Sequence, residues 1–204
     1  MYSAVMDGAS TSERLIEATR ELLWERGYVG TSPRAVQQAA GAGQGSMYHH
    51  FAGKPDLALA AIRRTAEEMG AAAEAVLGGG GSAYARVEAY LLRERDVLRG
   101  CPVGRLTMDP EVIADPALRA PVDEVLGRLR ARLTEVVQEG LDSGELGGGG
   151  ALDAGELAAT VLATVQGGYV LARATGSPAP FDSAVRGLLT LLAPRGGAGR
   201  PRQP

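Results

Sequence analysis

The sequence predicts an all-α protein of about nine helices, bounded one by one by start and stop signals. Two observations carry that expectation. Apolar residues recur at helical spacing in segment after segment, and the segments open on Ser, Asp or Pro and close on Gly or Pro. The first three helices read as a small head, and the later, longer ones as a bundle behind it.

Residues 1–9 show no periodicity and are expected to form a disordered arm. Ser10-Thr11-Ser12-Glu13 then offers a capping box, in which the Ser10 hydroxyl and the Glu13 carboxylate each satisfy a free backbone N–H. Leu15, Ile16, Ala18, Thr19, Leu22 and Leu23 follow at helical spacing, and Gly27 can take the left-handed turn that ends a helix. Trp24 falls off that stripe and reads as a half-buried packing residue. Ser32-Pro33 starts a second, short helix to Ala40, with the proline where its missing N–H costs nothing. Gly41-Ala42-Gly43 reverses the chain into Gln44-Gly45-Ser46-Met47-Tyr48-His49-His50-Phe51.

That third helix has an unusual surface. Met47 and Phe51, at i and i+4, anchor one face, while Gln44, Ser46, Tyr48 and His49 point elsewhere. The outward face carries hydrogen-bonding groups and an aromatic ring but almost no charge. Such a face suits reading base edges in a DNA groove, where hydrogen bonds discriminate sequence and phosphate contacts only position the protein.

Behind the head, Leu57, Leu59, Ala60, Ile62, Ala66, Met69 and Ala73 support a long fourth helix to about Leu77, and Gly78-Gly79-Gly80-Gly81-Ser82 breaks the chain. A fifth helix is expected from Ala83 to Arg99, with Arg86, Arg93 and Arg95 facing mostly outward, and a sixth from Val103 to Ala114, kinked or split at Pro110. Asp115-Pro116 opens a seventh, ending near Ser143-Gly144; a four-glycine linker follows at 147–150. Asp153 caps an eighth helix to Thr175, and a ninth spans Phe181 to Leu192. The tail 195–204 reads as disorder.

Composition narrows the function classes. One cysteine excludes an intramolecular disulfide framework, and His49 and His50 with a lone Cys101 make no zinc pattern, so no metal and no cofactor are expected. No apolar run approaches the ~20 residues of a membrane span, and no signal peptide is recognisable, which points to the cytoplasm. A net charge of −3 argues against coating nucleic acid by bulk attraction. Residues 1–64 carry seven basic against six acidic side chains, so DNA binding has to come from placed residues. No Ser/His/Asp arrangement, phosphate loop or paired carboxylates stand out, and no enzyme is expected.

Taken together, the capped first helix, Gly27-Tyr28, Thr31-Ser32, the short helix to Ala40-Gly41, Gly45-Ser46-Met47-Tyr48-His49-His50-Phe51 and Lys54-Pro55-Asp56-Leu57 resemble the DNA-binding half of the TetR family of transcriptional regulators. The resemblance covers about residues 10–60. Two positions depart from it: Gln37 stands where the family usually has a small alanine, and Gly43 where a serine often caps the third helix. The resemblance implies a helix-turn-helix domain at 10–56, with Gln44 and His49 on base edges, Tyr48 on a phosphate, Ser46 on the groove-facing side, Arg34 on a base or phosphate, and Thr31 and Lys54 on phosphates at the rims.

Residues 57–194 are then a ligand-binding and dimerisation domain. Two final helices that are apolar round much of their surface must be buried on more than one side. Ala158, Val161, Val165, Gly168, Val185, Leu188, Leu189 and Leu192 are the expected contacts of a four-helix homodimer interface, with Gly167 and Gly168 permitting close approach. Tyr90, Cys101, Leu106, Met108, Leu129, Val165 and Tyr169 are candidate linings of a pocket for a small lipophilic effector. Gly100-Cys101-Pro102-Val103 resembles a segment of the subgroup that includes lincomycin-resistance and flavonoid-sensing repressors. A ligand-released repressor on a near-palindromic operator is the expected function. The rivals are an activator of the same family and a helical adaptor that binds only protein.

Overall fold

The computed structural model describes residues 10–147 and 153–194. Among them the chain forms nine α-helices and one 3₁₀ turn, with no strand. The arm expected at 1–9, the tail at 195–204 and most of the four-glycine linker lie outside the described residues.

Local signals explain the early boundaries. Helix α1, Thr11–Arg26, starts where the Ser10 hydroxyl accepts from the Glu13 N–H at 3.2 Å and ends on Gly27. The reciprocal half of the capping box does not form, because the Glu13 carboxylate is drawn to Arg64 at 2.9 and 3.2 Å. Helix α2, Pro33–Ala40, is capped by Ser32 and closed by Gly41. Gly41 sits at φ 59°, a left-handed conformation that costs a side-chain-bearing residue energy, so a glycine is what lets the chain turn here. Helix α3, Gln44–His50, begins at Gly43 with no side-chain cap, and α4 runs Lys54–Leu77.

Helix α5 is Ala83–Leu92, shorter than expected. The apolar spacing continues through Val97 and Leu98, but Arg95 folds back and donates to the carbonyls of Tyr90, Leu91 and Arg93. These groups would otherwise be the orphan acceptors of a helix end. Neither Arg86 nor Arg95 stays outward: both guanidinium Nε atoms are buried. The expected sixth helix divides at Pro110 into a 3₁₀ turn, Gly104–Met108, and α6, Pro110–Ala114, which Asp109 caps through the N–H groups of Glu111 and Val112. Helices α7, Pro116–Ser143, α8, Ala154–Thr175, and α9, Ala179–Leu192, follow among the described residues.

Two compact units result: among the described residues one comprises 10–70 with 99–126, the other 71–98 with 127–147 and 153–194. In the first unit, side chains tie later segments to α1. Arg20 reaches Glu68 and Thr65, the Trp24 indole donates to the Gly100 carbonyl at 3.0 Å, and the Val29 N–H donates to Asp109 at 2.9 Å. Trp24 is half-buried, as expected, with the Arg99 guanidinium over its ring at 3.8 Å.

In the second unit α8 and α9 pack on each other, and α9 also packs on α5. The eight residues expected at a dimer interface are all buried inside the single chain, so their contacts are internal. Gly168 shows why: a Cβ there would lie 2.7 Å from the Phe181 ring, so the close approach it permits is to α9 of the same chain. Gly167 meets nothing. The large apolar side chains that α8 and α9 leave exposed are Val170, Leu171 and Leu191, at 67, 53 and 76%.

Candidate nucleic-acid interface

Helix α3 is seven residues long, too short to be stable alone, so its place is set by what it buries. Met47 is fully buried and Phe51 nearly so, beneath a helix that packs on α1 and α2. Burial of a side chain of this size stabilises by about 1.5–3 kcal/mol. Gln37, the departure on α2, fits this contact: its amide donates to the Met47 sulfur at 3.4 Å, so polarity is satisfied where the larger side chain meets α3. The bare Gly43 cap leaves the first N–H groups of α3 facing outward without a side-chain partner.

Above that buried underside Gln44, Tyr48 and His49 are exposed, Tyr48 at 51%, and Ser46 is half-buried. Arg34, near the start of α2, is exposed as well. The structure therefore brings Arg34, Gln44, Tyr48 and His49 to the surface of the α2–α3 pair. The His49 and His50 rings meet edge to face at 5.0 Å. Among the described residues no group of three or more His, Cys, Asp or Glu comes together as a metal site would need.

The two rim residues differ. Lys54 is half-buried, with its ammonium 4.0 Å from the centre of the Tyr28 ring, which steers the cation without neutralising it. Thr31 is only 2% exposed and its hydroxyl donates to the Gly27 carbonyl at 2.7 Å. Its role is to close the turn between α1 and α2. Sequence pattern alone does not reveal this, because a threonine just before an N-cap looks the same facing in or out.

The seven candidate effector-pocket residues fall in different units. Cys101, Leu106 and Met108 belong to the first, and Tyr90, Leu129, Val165 and Tyr169 to the second. All are buried except Met108, which is 84% exposed. Two cavities of the second unit, about 360 and 610 Å³, are lined by other residues. Tyr90 and Tyr169 nevertheless stand behind the smaller one: the Tyr169 ring is 5.1 Å from Phe181, and Arg93 and Arg95 lie over the Tyr90 ring. Sequence reading missed Phe181 and Arg95, the first because it sits beside Pro178 and Pro180 in the first turn of α9, the second because it sits in a run of charges.

A short helix held by its apolar underside, with an uncharged polar face outward and a second helix crossing behind it, defines a helix-turn-helix DNA-binding protein. Residues 15–61 match the family model of bacterial regulatory proteins of the tetR family, and residues 82–188 match the tetracyclin repressor-like C-terminal domain. The chain belongs to the TetR family of transcriptional regulators. It is 27% identical over 168 residues to the HTH-type transcriptional repressor AcnR of Corynebacterium glutamicum, spanning 82% of this chain and 84% of that one. An HTH-type transcriptional regulator of Mycobacterium tuberculosis is 28% identical over 188 residues, 88% of this chain and 93% of its own length. The crystal structure of a regulatory protein TetR from Rhodobacter sphaeroides superposes with a TM-score of 0.79 at 26% identity, covering 91% of this chain and all of that one. No described helix is long and apolar enough to cross a membrane.

Proposed function

We propose that the protein is a homodimeric repressor of the bacterial cytoplasm, bound to a near-palindromic operator and released by a small effector. The outward face of α3 carries the reading: Gln44 and His49 reach base edges, Tyr48 and Lys54 reach phosphates, and Arg34 supports them from α2. Thr31 acts through the turn it closes. With only seven basic against six acidic side chains over residues 1–64, discrimination rests on hydrogen bonds to bases, and these survive added salt better than phosphate contacts do. Repression accords with the name of the Corynebacterium glutamicum relative.

Dimerisation uses the exposed stripe of the last two helices. Ala163, Gly167, Val170, Leu171 and Ala174 of α8 recur every three or four residues, and Gly187 and Leu191 of α9 continue the same exposed apolar character. Small residues at this spacing let two copies of a helix pair approach closely about a two-fold axis. Such an axis sets two recognition helices roughly 34–36 Å apart, one turn of DNA. An effector that prefers the spacing unable to bind DNA releases the operator, and one with equal affinity for both does nothing.

Fluorescence anisotropy with the DNA upstream of the protein's own gene, at several salt concentrations, tests this. Sequence preference that persists as salt rises, with sedimentation as a dimer, is the expected result. Equal binding to scrambled DNA, or sedimentation as a single chain at micromolar concentration, would overturn it.

A further inference from the structure

Several part-buried arginines of this chain are held by a carboxylate. Arg20, Arg64, Arg86, Arg99 and Arg132 each reach a carboxylate. Arg95 does not: among the described residues no Asp or Glu pairs with it. Its guanidinium is instead tucked under the end of α5, where three of its five N–H groups go to backbone carbonyls and the Nε is buried with no partner. The rings of Tyr90 and Phe181 lie 5.3 and 5.8 Å from it. Burial pushes this guanidinium down from the ordinary arginine value, and neighbouring Arg93 adds to the effect, while Tyr169 and Tyr90 oppose it. A part-buried cation with one buried, unpartnered donor and no carboxylate beside it is an incomplete arrangement.

Beside it lies the cavity of about 360 Å³ between the end of α5 and the first turns of α9. That volume is at the lower end of the roughly 300–1,000 Å³ typical of small-molecule sites. Leu91, Val97, Phe181 and Val185 supply an apolar wall, and Arg93, Arg95 and Arg186 outnumber Glu94 and Asp182 among the charged lining residues. Phe181, Asp182, Val185 and Arg186 follow the i, i+1, i+4, i+5 pattern of one side of α9, while Gly187 and Leu191 occupy the opposite side, so the cavity does not compete with the dimer stripe.

We infer that this cleft binds a small organic monoanion, its carboxylate on Arg95 and its hydrocarbon body along Leu91, Val97, Phe181 and Val185. An arginine fork matches a carboxylate in shape as well as charge. Glu94 and Asp182 disfavour a dianion, so a phosphate monoester is excluded in favour of a carboxylate. This assignment rests on the reading that the second unit takes an effector, and names the effector's class and seat.

Calorimetric titration of the full chain with octanoate, octanol and octyl phosphate tests it directly, without DNA. Saturable octanoate binding, at least tenfold tighter than either of the others, is the expected result. Arg95→Lys, which keeps the charge but loses the fork, is expected to weaken octanoate tenfold or more. Because Arg95 also holds the end of α5, Leu92→Trp provides a variant that leaves it in place and fills the mouth of the cleft, and it should weaken octanoate to a similar degree. Equal binding of octanol, no binding of octanoate, or octanoate binding unchanged in both variants would overturn the assignment. Operator anisotropy with added octanoate separates the site from its role. Binding in the cleft with operator affinity unchanged keeps the site and overturns release through it, whereas loss of operator binding that Leu92→Trp abolishes supports both.

Discussion

Helix α3 and the pair α8–α9 sort their side chains in opposite ways. On α3 the apolar Met47 points in, and the exposed face is polar with scarcely a charge. On α8 and α9 large apolar side chains remain exposed, and the part-buried Arg95, which no Asp or Glu pairs with among the described residues, lies beside α9. Ordinary surfaces tolerate either a polar helix face or an isolated exposed leucine. Large apolar side chains left exposed on two packed helices and a part-buried cation without a carboxylate are the informative departures. The work of α3 is therefore written in which polar groups stand where, and that of the second unit in what is inverted.

Substitution of the buried anchor tests the first half of that contrast and carries the largest expected effect. Met47→Ala removes the group that seats α3 on α1 and α2 and should cost about 2–5 kcal/mol in urea unfolding. A loss below ~1 kcal/mol would mean that something other than Met47 positions the helix. Leu191→Ala tests the second half. The side chain is 76% exposed in one chain, so its deletion should leave unfolding of the chain within ~0.5 kcal/mol while weakening the dimer by about 2–4 kcal/mol, since the two-fold axis counts it twice. Sedimentation equilibrium reads the second quantity and chemical unfolding the first. Next come Gln44→Ala and His49→Ala, each expected to cost ~1–3 kcal/mol of discrimination at defined operator positions with stability intact. Uniform weakening on every DNA sequence would assign them to phosphates instead.

Much of the head was legible because its boundaries are local. Ser10, Ser32-Pro33 and Gly41 act on groups within three or four residues, and α1 begins, and α2 begins and ends, where they predict. The end of α5 was not, since Arg95 terminates it by folding a long side chain onto earlier carbonyls, and no residue-type pattern marks that choice. Nor does periodicity say which side of an all-apolar helix meets its own chain. Val165, Leu188 and Leu189 look like Leu171 and Leu191 in sequence, and only packing separates the buried from the exposed. Candidate contacts follow the same division: Gln44 and His49 are exposed by their phase relative to Met47, whereas Thr31 turns inward because Gly27 offers its hydroxyl a carbonyl.

The smallest expected effect compares two arginines. Arg64, on α4, shares a bidentate contact with Glu13 and is held above its ordinary value chiefly by that hydrogen bond; Arg95 is pushed the other way by burial. The partner carboxylate responds in turn, and the Arg64 hydrogen bond and charge hold Glu13 below the usual glutamate range. In its folded form Glu13 thus keeps its charge at a pH where the unfolded chain has taken up a proton. The pair's contribution is fully present above the unfolded glutamate value, about 4.3, and is lost as the pH falls through the lower folded value. Both side chains are more than a third exposed, so solvent screens the pair and its worth at neutral pH is ~1 kcal/mol at most. Glu13→Gln should therefore lower stability slightly at pH 7 in dilute salt, and wild type and variant should converge both in high salt and in acid. A difference that persists in molar salt would mean that Glu13 acts through packing, and the exposed arginine would then resemble the buried one more than its surroundings suggest.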